Sequence, residues 1–397
     1  MTDVRWDREF DHFHPAYADD PFPIWDELRD TCPVARSERF RGMVVPTRHA
    51  DIEVVARDPD TYSSRSPLVA SFGAMADYGI VAPPISSDPP YHTAFRKLLL
   101  PFFSPRRIEA LRPAVEAHCD RLINKALPTG AGALDAAVDY AQHIPVRVIA
   151  LLLGVPPADG DRFRTWVHEL LELGPNDIDA AAEGLTSFRA YFQAQIDQRR
   201  QATEPGDDLI SFLLAAELDG RPLDEDEVFG GCLLLLLAGI DTTWSAIGAS
   251  LWHLARHPED QQRLRAEPEL MPTAIEELLR AYAPVTMARE VVADADLGGC
   301  PVQAGTPLLL PFPAANRDPA VFDDADTVIL DRQRNRHVAF GIGIHRCLGS
   351  NLARMEVTVA VERFLASVGS FRLAEPGGVR WSTGQVRGPR TLPLAIG

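Results

Sequence analysis

Cysteine is scarce and unpatterned in this chain of 397 residues: Cys32, Cys119, Cys232, Cys300 and Cys347 show no Cys-x-x-Cys or Cys-x-x-Cys-His spacing. An odd, scattered set supplies neither a disulfide framework nor a zinc site, and it fits a reducing cytoplasm. Basic charge is also in deficit, 39 Lys and Arg against 56 Asp and Glu, for a formal charge of −17. That balance argues against a nucleic-acid partner and against attraction to anionic membranes. The first residues are charged and lack the apolar core of a signal peptide. The most apolar run, 230–240, is far shorter than the about 20 residues that span a bilayer. The expectation is a soluble, cytoplasmic protein with no membrane contact. No linker, repeat or low-complexity stretch divides the chain, although length alone would allow two or three domains.

Helical periodicity dominates what is present. Amphipathic runs predict helices over 23–31, 91–100, 104–127, 144–153, 159–173, 180–201, 207–218, 224–256, 258–267, 271–282 and 348–368. Strand-like pieces are fewer: 34–36 with 43–46 as an early hairpin, then 289–293, 307–311 and 371–373. The expected fold class is mainly α with a small peripheral β-sheet. A helix over 224–256 would be about 50 Å long, enough to cross the whole molecule. Its first half is apolar nearly all round, as in a helix buried in a large core.

One cysteine stands on a glycine-punctuated loop, Phe340-Gly341-Ile342-Gly343-Ile344-His345-Arg346-Cys347-Leu348-Gly349, just before the last predicted helix. Unpaired N–H groups and the positive end of the helix dipole favour a thiolate there. Gly341 and Gly343 permit a tight turn with positive φ, and Gly349 leaves room for something flat against the backbone. A lone Cys near a helix start is by itself more often a small buried hydrophobe. A thiolate beside space for a planar partner suits axial ligation of haem iron. The spacing Phe-x-x-Gly-x-x-x-Cys-x-Gly, with His two residues before the Cys, resembles the haem-binding loop of the cytochrome P-450 family.

Three further segments resemble that family in the same order. Ala238-Gly239-Ile240-Asp241-Thr242-Thr243 interrupts the apolar 224–256 run. A Thr hydroxyl can compete for a backbone carbonyl and locally open the helix, while small residues admit a flat ligand. Taken alone, the segment reads rather as a helix with a satisfied core Thr and a locally paired Asp. The resemblance implies an oxygen-binding groove in which Asp241 is the proton-relay acid and Thr242 the partner hydroxyl, with Ala238 and Gly239 against the cofactor. Trp244 falls on another face and reads as packing. Glu277 and Arg280 share a helix face, and the family's Glu-x-x-Arg pair meets a downstream arginine, here Arg332, in a structural lock. In Asp88-Pro89-Pro90-Tyr91-His92-Thr93-Ala94-Phe95-Arg96, Asp88 is a plausible N-cap and His92 and Arg96 share a face. That face alone could be solvated basic surface with Lys97. The resemblance makes His92, Arg96, Arg289 and His345 donors to haem propionates, and it places Phe340 and Cys347 at the haem, Cys347 as the metal ligand.

The resemblance thus implies a single haem domain over 1–397 with the family's triangular helical fold and a long central helix over haem b. It implies a monomeric monooxygenase that inserts one atom of O2 into a small hydrophobic substrate, aromatic ones included. No cysteine and no dinucleotide-binding glycine fingerprint follow Cys347, so the expectation is no fused reductase or ferredoxin domain. Electrons would come from a separate ferredoxin steered by Arg96, Lys97, Arg106, Arg107, Arg112, Arg346 and Arg354. By the same analogy the substrate pocket draws on 66–82, 161–201, 234–240, 285–287 and 385–386; no substrate-carboxylate anchor stands out, and Arg65, a candidate, fits an exposed or structural role better. A peroxide-driven peroxygenase and a non-catalytic haem-thiolate sensor are the alternatives; an intact Asp241-Thr242 pair counts against both.

Overall fold

The computed structural model describes residues 4–69, 81–127, 132–174, 177–204, 206–375 and 377–397. The organising element is the helix Glu225–Arg256. Its start is fixed by a reciprocal cap: the Asp224 carboxylate accepts from the Glu227 N–H and the Glu227 carboxylate from the Asp224 N–H, both at 2.8 Å. Acidic residues fill its first turn and His253 and Arg256 its last, matching the helix dipole at both ends. The full helix is long and apolar enough to cross a bilayer, but most of it is buried inside the protein. Its hydrophobicity is therefore that of a core element. Helices His143–Leu153 and Ser350–Ser367 pack along it, and their side chains join one large apolar core.

The sheets are small and peripheral. The largest orders its strands Val34–Arg36, Val44–Pro46, Pro307–Pro311, Thr286–Val291 and Tyr62–Ser63. Register sets Arg289 opposite Leu308 in an antiparallel pair, so the side chain of Arg289 is carried by a central strand. A second sheet joins Phe371–Leu373, Pro393–Ile396 and Ala133–Asp135.

Most predicted helices form within a residue or two of expectation. The 104–127 run divides into Pro105–Glu109 and Arg112–Ala126, because Pro113 has no N–H to continue a ladder and is accommodated only in a first turn. The 159–173 run becomes Pro157–Asp159 in 3₁₀ form, Gly160–Val167 in α form and His168–Leu173 in π form. The 207–218 run is helical only over Leu209–Ala215 and ends in a hairpin, Glu217–Leu218 with Arg221–Pro222. The last helix starts at Ser350 rather than at 348, leaving Leu348 and Gly349 between Cys347 and its first turn.

The Glu277–Arg280 pair is fully buried. Arg280 donates twice to the Glu277 carboxylate at 2.8 Å, Arg332 adds a bond of 2.9 Å, Asn335 one of 3.1 Å, and the Ile329 N–H one of 2.9 Å. Arg280 also donates to the carbonyls of Asn316, Ala325 and Thr327. The lock read from the sequence thus closes, fastening the segment that leads to the Cys347 loop.

Candidate active site

The Cys347 loop is shaped by its backbone. Gly341 and Gly343 adopt φ of 69° and 72°. A Cβ on Gly343 would lie 2.3 Å from the Ala56 carbonyl oxygen, so the loop is pressed against the helix His49–Arg57. The Cys347 N–H donates to the Phe340 carbonyl at 2.7 Å, closing the turn. The thiol is not covered by neighbouring side chains, yet it is enclosed enough that desolvation raises its pKa; the Gly349 N–H and the guanidinium groups of Arg96, Arg346 and Arg354 pull the other way. Loop position alone therefore does not ionise the thiol, contrary to the expectation from the helix terminus. A cationic metal on the sulfur would stabilise the thiolate. A Cβ on Gly349 would meet only the Cys347 sulfur, at 3.9 Å, so space beside the thiol is open.

Beside this loop four cationic or potentially cationic side chains converge. The rings of His92 and His345 lie 4.2 Å apart, and both nitrogens of His92 and Nε2 of His345 are buried without a partner. Arg289 is buried and donates to the Ala288 carbonyl; desolvation lowers it to about 10. Desolvation, Arg289, His92 and Arg96 together push His345 down to about 2. Desolvation and the charges of Arg96 and Arg289 lower His92. Asp88 is the nearby carboxylate, and it is taken up by the Ser63 hydroxyl at 2.5 Å and the Ser64 N–H at 2.9 Å. Such a cluster is short of anionic acceptors. A planar group bearing two carboxylates beside an uncovered thiol matches this donor set, so the residues fit haem b.

The central helix carries the acid–alcohol pair. Leu234, Leu237, Ala238 and Thr242 are less covered than the largely buried residues around them, and Ala238 is exposed. The helix stays α-helical throughout. Thr242 donates to the Ala238 carbonyl at 2.7 Å without opening the ladder, so the expected local opening does not occur. Gly239 is turned elsewhere: a Cβ there would lie 2.4 Å from Ile149 Cδ1, so its missing side chain is required by packing on the neighbouring helix.

Asp241 is buried and held by a residue that sequence reasoning missed. Arg390 Nη2 donates to Asp241 Oδ1 at 2.7 Å, Nε to Glu172 at 2.5 Å and Nη1 to the Ser245 hydroxyl at 3.2 Å. Its guanidinium lies 4.3 Å from the centroid of the Trp244 ring, so Trp244 packs as expected and also supports the arginine. Asp241 Oδ2 has no partner. Desolvation raises Asp241 to about 6, with Glu172 reinforcing and Arg390 opposing the shift. The only sequence sign of Arg390 is a cation in the apolar tail Pro389-Arg390-Thr391-Leu392-Pro393.

Two of the pocket segments meet directly: Val285 bridges Val386, and the Thr286 N–H donates to the Gln385 carbonyl at 2.9 Å. In 161–201 the aromatic residues Phe163, Trp166, Phe188 and Phe192 are buried against one another, leaving Leu170, Leu171 and Leu185 partly uncovered. Most of 66–82 lies outside the described residues. Arg65 is exposed and pairs with Asp88 at 3.6 Å.

The basic face is thinner than its arginine count suggests. Arg107 pairs with Asp207, Arg112 with Glu109 and Arg354 with Glu276, and Arg96 donates to the Arg346 carbonyl. Lys97, Arg106 and Arg346 are exposed with no carboxylate partner among the described residues. Next to them Arg57, Arg336 and Arg346 line a groove of about 630 Å³ along Gly341–Ile344.

A mainly helical fold with a glycine-turned cysteine loop and an acid–alcohol pair on its central helix fits a haem-thiolate oxygenase, and comparison with known proteins agrees. The family model for Cytochrome P450 matches residues 167–377. The chain is 37% identical to the mycinamicin IV hydroxylase/epoxidase of Micromonospora griseorubida, over 93% of this chain and 94% of that protein. It is 36% identical to the nocardicin C N-oxygenase of Nocardia uniformis subsp. tsuyamanensis, over 96% and 95%. The solved structure of cytochrome P450 CYP109Q5 from Chondromyces apiculatus superposes with a TM-score of 0.88 at 32% identity, over 98% of both chains. The chain belongs to the cytochrome P450 family and is a haem monooxygenase of bacterial type, whose cofactor is thiolate-ligated haem b.

Proposed function

We propose that residues 1–397 form one haem domain in which Cys347 ligates the iron and His92, Arg96, Arg289 and His345 receive the propionates. The observation that carries this reading is the convergence of two arginines with unpartnered, buried histidine nitrogens beside an uncovered thiol. Haem, when bound, supplies the activation of O2 and the insertion of one oxygen atom into substrate, using two electrons and two protons. The chain's own residues prepare that chemistry. Phe340 accepts the Cys347 N–H and holds the loop in register. Ala238, with no more than a methyl group, leaves the central helix open toward the cofactor. Asp241 Oδ2 is free to hold a proton, and a pKa of about 6 lets it take up and release one near neutrality. The Thr242 hydroxyl, now bonded to the Ala238 carbonyl, can rotate to pass a proton onward.

The substrate is a hydrophobic organic molecule, small or aromatic, bounded by Leu234, Leu237, Val285, Met287 and Val386. These partly uncovered apolar side chains support that class. Electrons come from a separate acidic ferredoxin docking at Lys97, Arg106, Arg336 and Arg346, a local exception to a net charge of −17. The protein acts as a cytoplasmic monomer.

The test is the ferrous carbonyl spectrum of wild type and Cys347→Ser. Wild type should show the red-shifted Soret band of a thiolate ligand and the variant should lack it. Retention of that band in the variant would place the ligand on another residue. Thr242→Ala, with haem retained, should divert reducing equivalents to hydrogen peroxide.

A further inference from the structure

Away from the cysteine loop, three side chains converge where the central helix gives way to the next one. His253 lies in the last turn of Glu225–Arg256, His257 is the junction residue, and Asp260 stands in the first turn of Pro258–Ala266. One ligand atom from each lies within 4.8 Å of the others. His253 Nε2 is 2.8 Å from Asp260 Oδ2, and the two imidazole rings stack with centroids 4.3 Å apart. His253 is buried while His257 and Asp260 are partly exposed, so an ion has a way in from solvent. Two imidazole nitrogens and one carboxylate oxygen, with water completing the set, suit zinc and its neighbours and are too nitrogen-rich for magnesium or calcium.

The surroundings support an ion as well. Tyr282 Oη lies 2.8 Å from His253 Nδ1. Without metal, Nε2–H donates to Asp260 and Nδ1 accepts from the tyrosine hydroxyl. With metal, the Nε2 lone pair binds the ion and Nδ1–H donates to the tyrosine oxygen. A hydroxyl can donate or accept, so Tyr282 can hold the His253 ring in either tautomer. Glu259 Oε1 lies 3.1 Å from His257 Nδ1 and adds negative charge. The nearby cation, Arg256, lies over the Trp252 ring at 4.5 Å.

We propose that His253, His257 and Asp260 form a binding site for a divalent transition-metal ion of the zinc class, distinct from the haem iron, which staples the end of the central helix to the next helix. Tag-free, chelator-treated, haem-loaded protein would be dialysed to equilibrium against Zn²⁺ and the metal counted by mass spectrometry. The expected result is one zinc per chain, with affinity lowered at least ~10-fold in His257→Ala and in Asp260→Asn, and less in Tyr282→Phe. Unfolding midpoints in chelator identify any variant whose fold is damaged; Asp260→Asn carries the test if His257→Ala is. No zinc bound at about 100 µM, or unchanged zinc affinity in an intact His257→Ala or Asp260→Asn protein, would overturn the proposal.

Discussion

Replacing Arg390 by Met tests the link between the C-terminal strand and the proton-relay candidate. Wild-type Asp241, at about 6 against an ordinary 3.8, keeps its proton in the folded state over a range where the unfolded chain has lost it. Its contribution is therefore destabilising, and it develops as pH rises from 3.8 to about 6. Arg390 limits that penalty by stabilising the carboxylate. A charge-assisted hydrogen bond contributes about 1.5–3 kcal/mol, equivalent to about 1–2 pH units of further upward shift when it is lost. Below pH 6 Asp241 is largely neutral in both proteins, and the variant loses mainly its Glu172 bond and its packing on Trp244. Above pH 6 wild type holds an ionised pair, whereas the variant must retain a proton or bury a lone charge. The stability gap should therefore widen by about 1–2 kcal/mol between pH 6 and 8, since part of the shift is already felt at pH 6 and a variant pKa of about 8 is not saturated at pH 8. Equilibrium urea unfolding of the haem-loaded proteins across that range measures it. A gap independent of pH would refute the argument, as would equal widening when Arg390→Met is placed in an Asp241→Asn background.

Glu277→Ala leaves Arg280 buried without its carboxylate and should cost about 3–5 kcal/mol, read from urea midpoints, with a loss near zero refuting the lock. Gly343→Ala forces a side chain into left-handed φ and against the Ala56 carbonyl; a loss of at least about 1–2 kcal/mol and lower haem retention are expected, measured by urea unfolding and haem content. Glu356 is fully buried with both oxygens unpartnered, and desolvation raises its pKa well above 4.5. The folded state then binds the extra proton, so stability falls as pH rises above 4.5. Glu356→Gln should stabilise more at pH 8 than at pH 5, and a pH-independent effect would contradict this.

Much of the fold was legible because its helices carry their own stop and start signals. Asp224 and Glu227 announce the central helix through a local cap, and Pro258 opens the next one. The Cys347 loop was equally legible, since positive φ at Gly341 and Gly343 is a demand that glycine meets locally. The strands Pro389–Thr391 and Pro393–Ile396 were not, because their partners are Arg380–Trp381, Ala133–Asp135 and Phe371–Leu373 and their prolines read as loop.

Residue type and near-neighbour spacing, which set backbone freedom, capping and helix faces, nominated Cys347, the Asp241-Thr242 pair, the His92–Arg96 face and the Glu277–Arg280 lock only together with the family resemblance their order carries. Only tertiary structure decided which charges have partners. It brought His92 and His345 together without a hydrogen-bond acceptor for their buried nitrogens, and it covered Gly239 with Ile149. It paired Arg107, Arg112 and Arg354 with acids, and it brought Arg390 and Glu172 to Asp241. The reason is range: a turn or a cap is settled within a few residues, whereas desolvation and ion pairing depend on groups that meet only when distant segments pack.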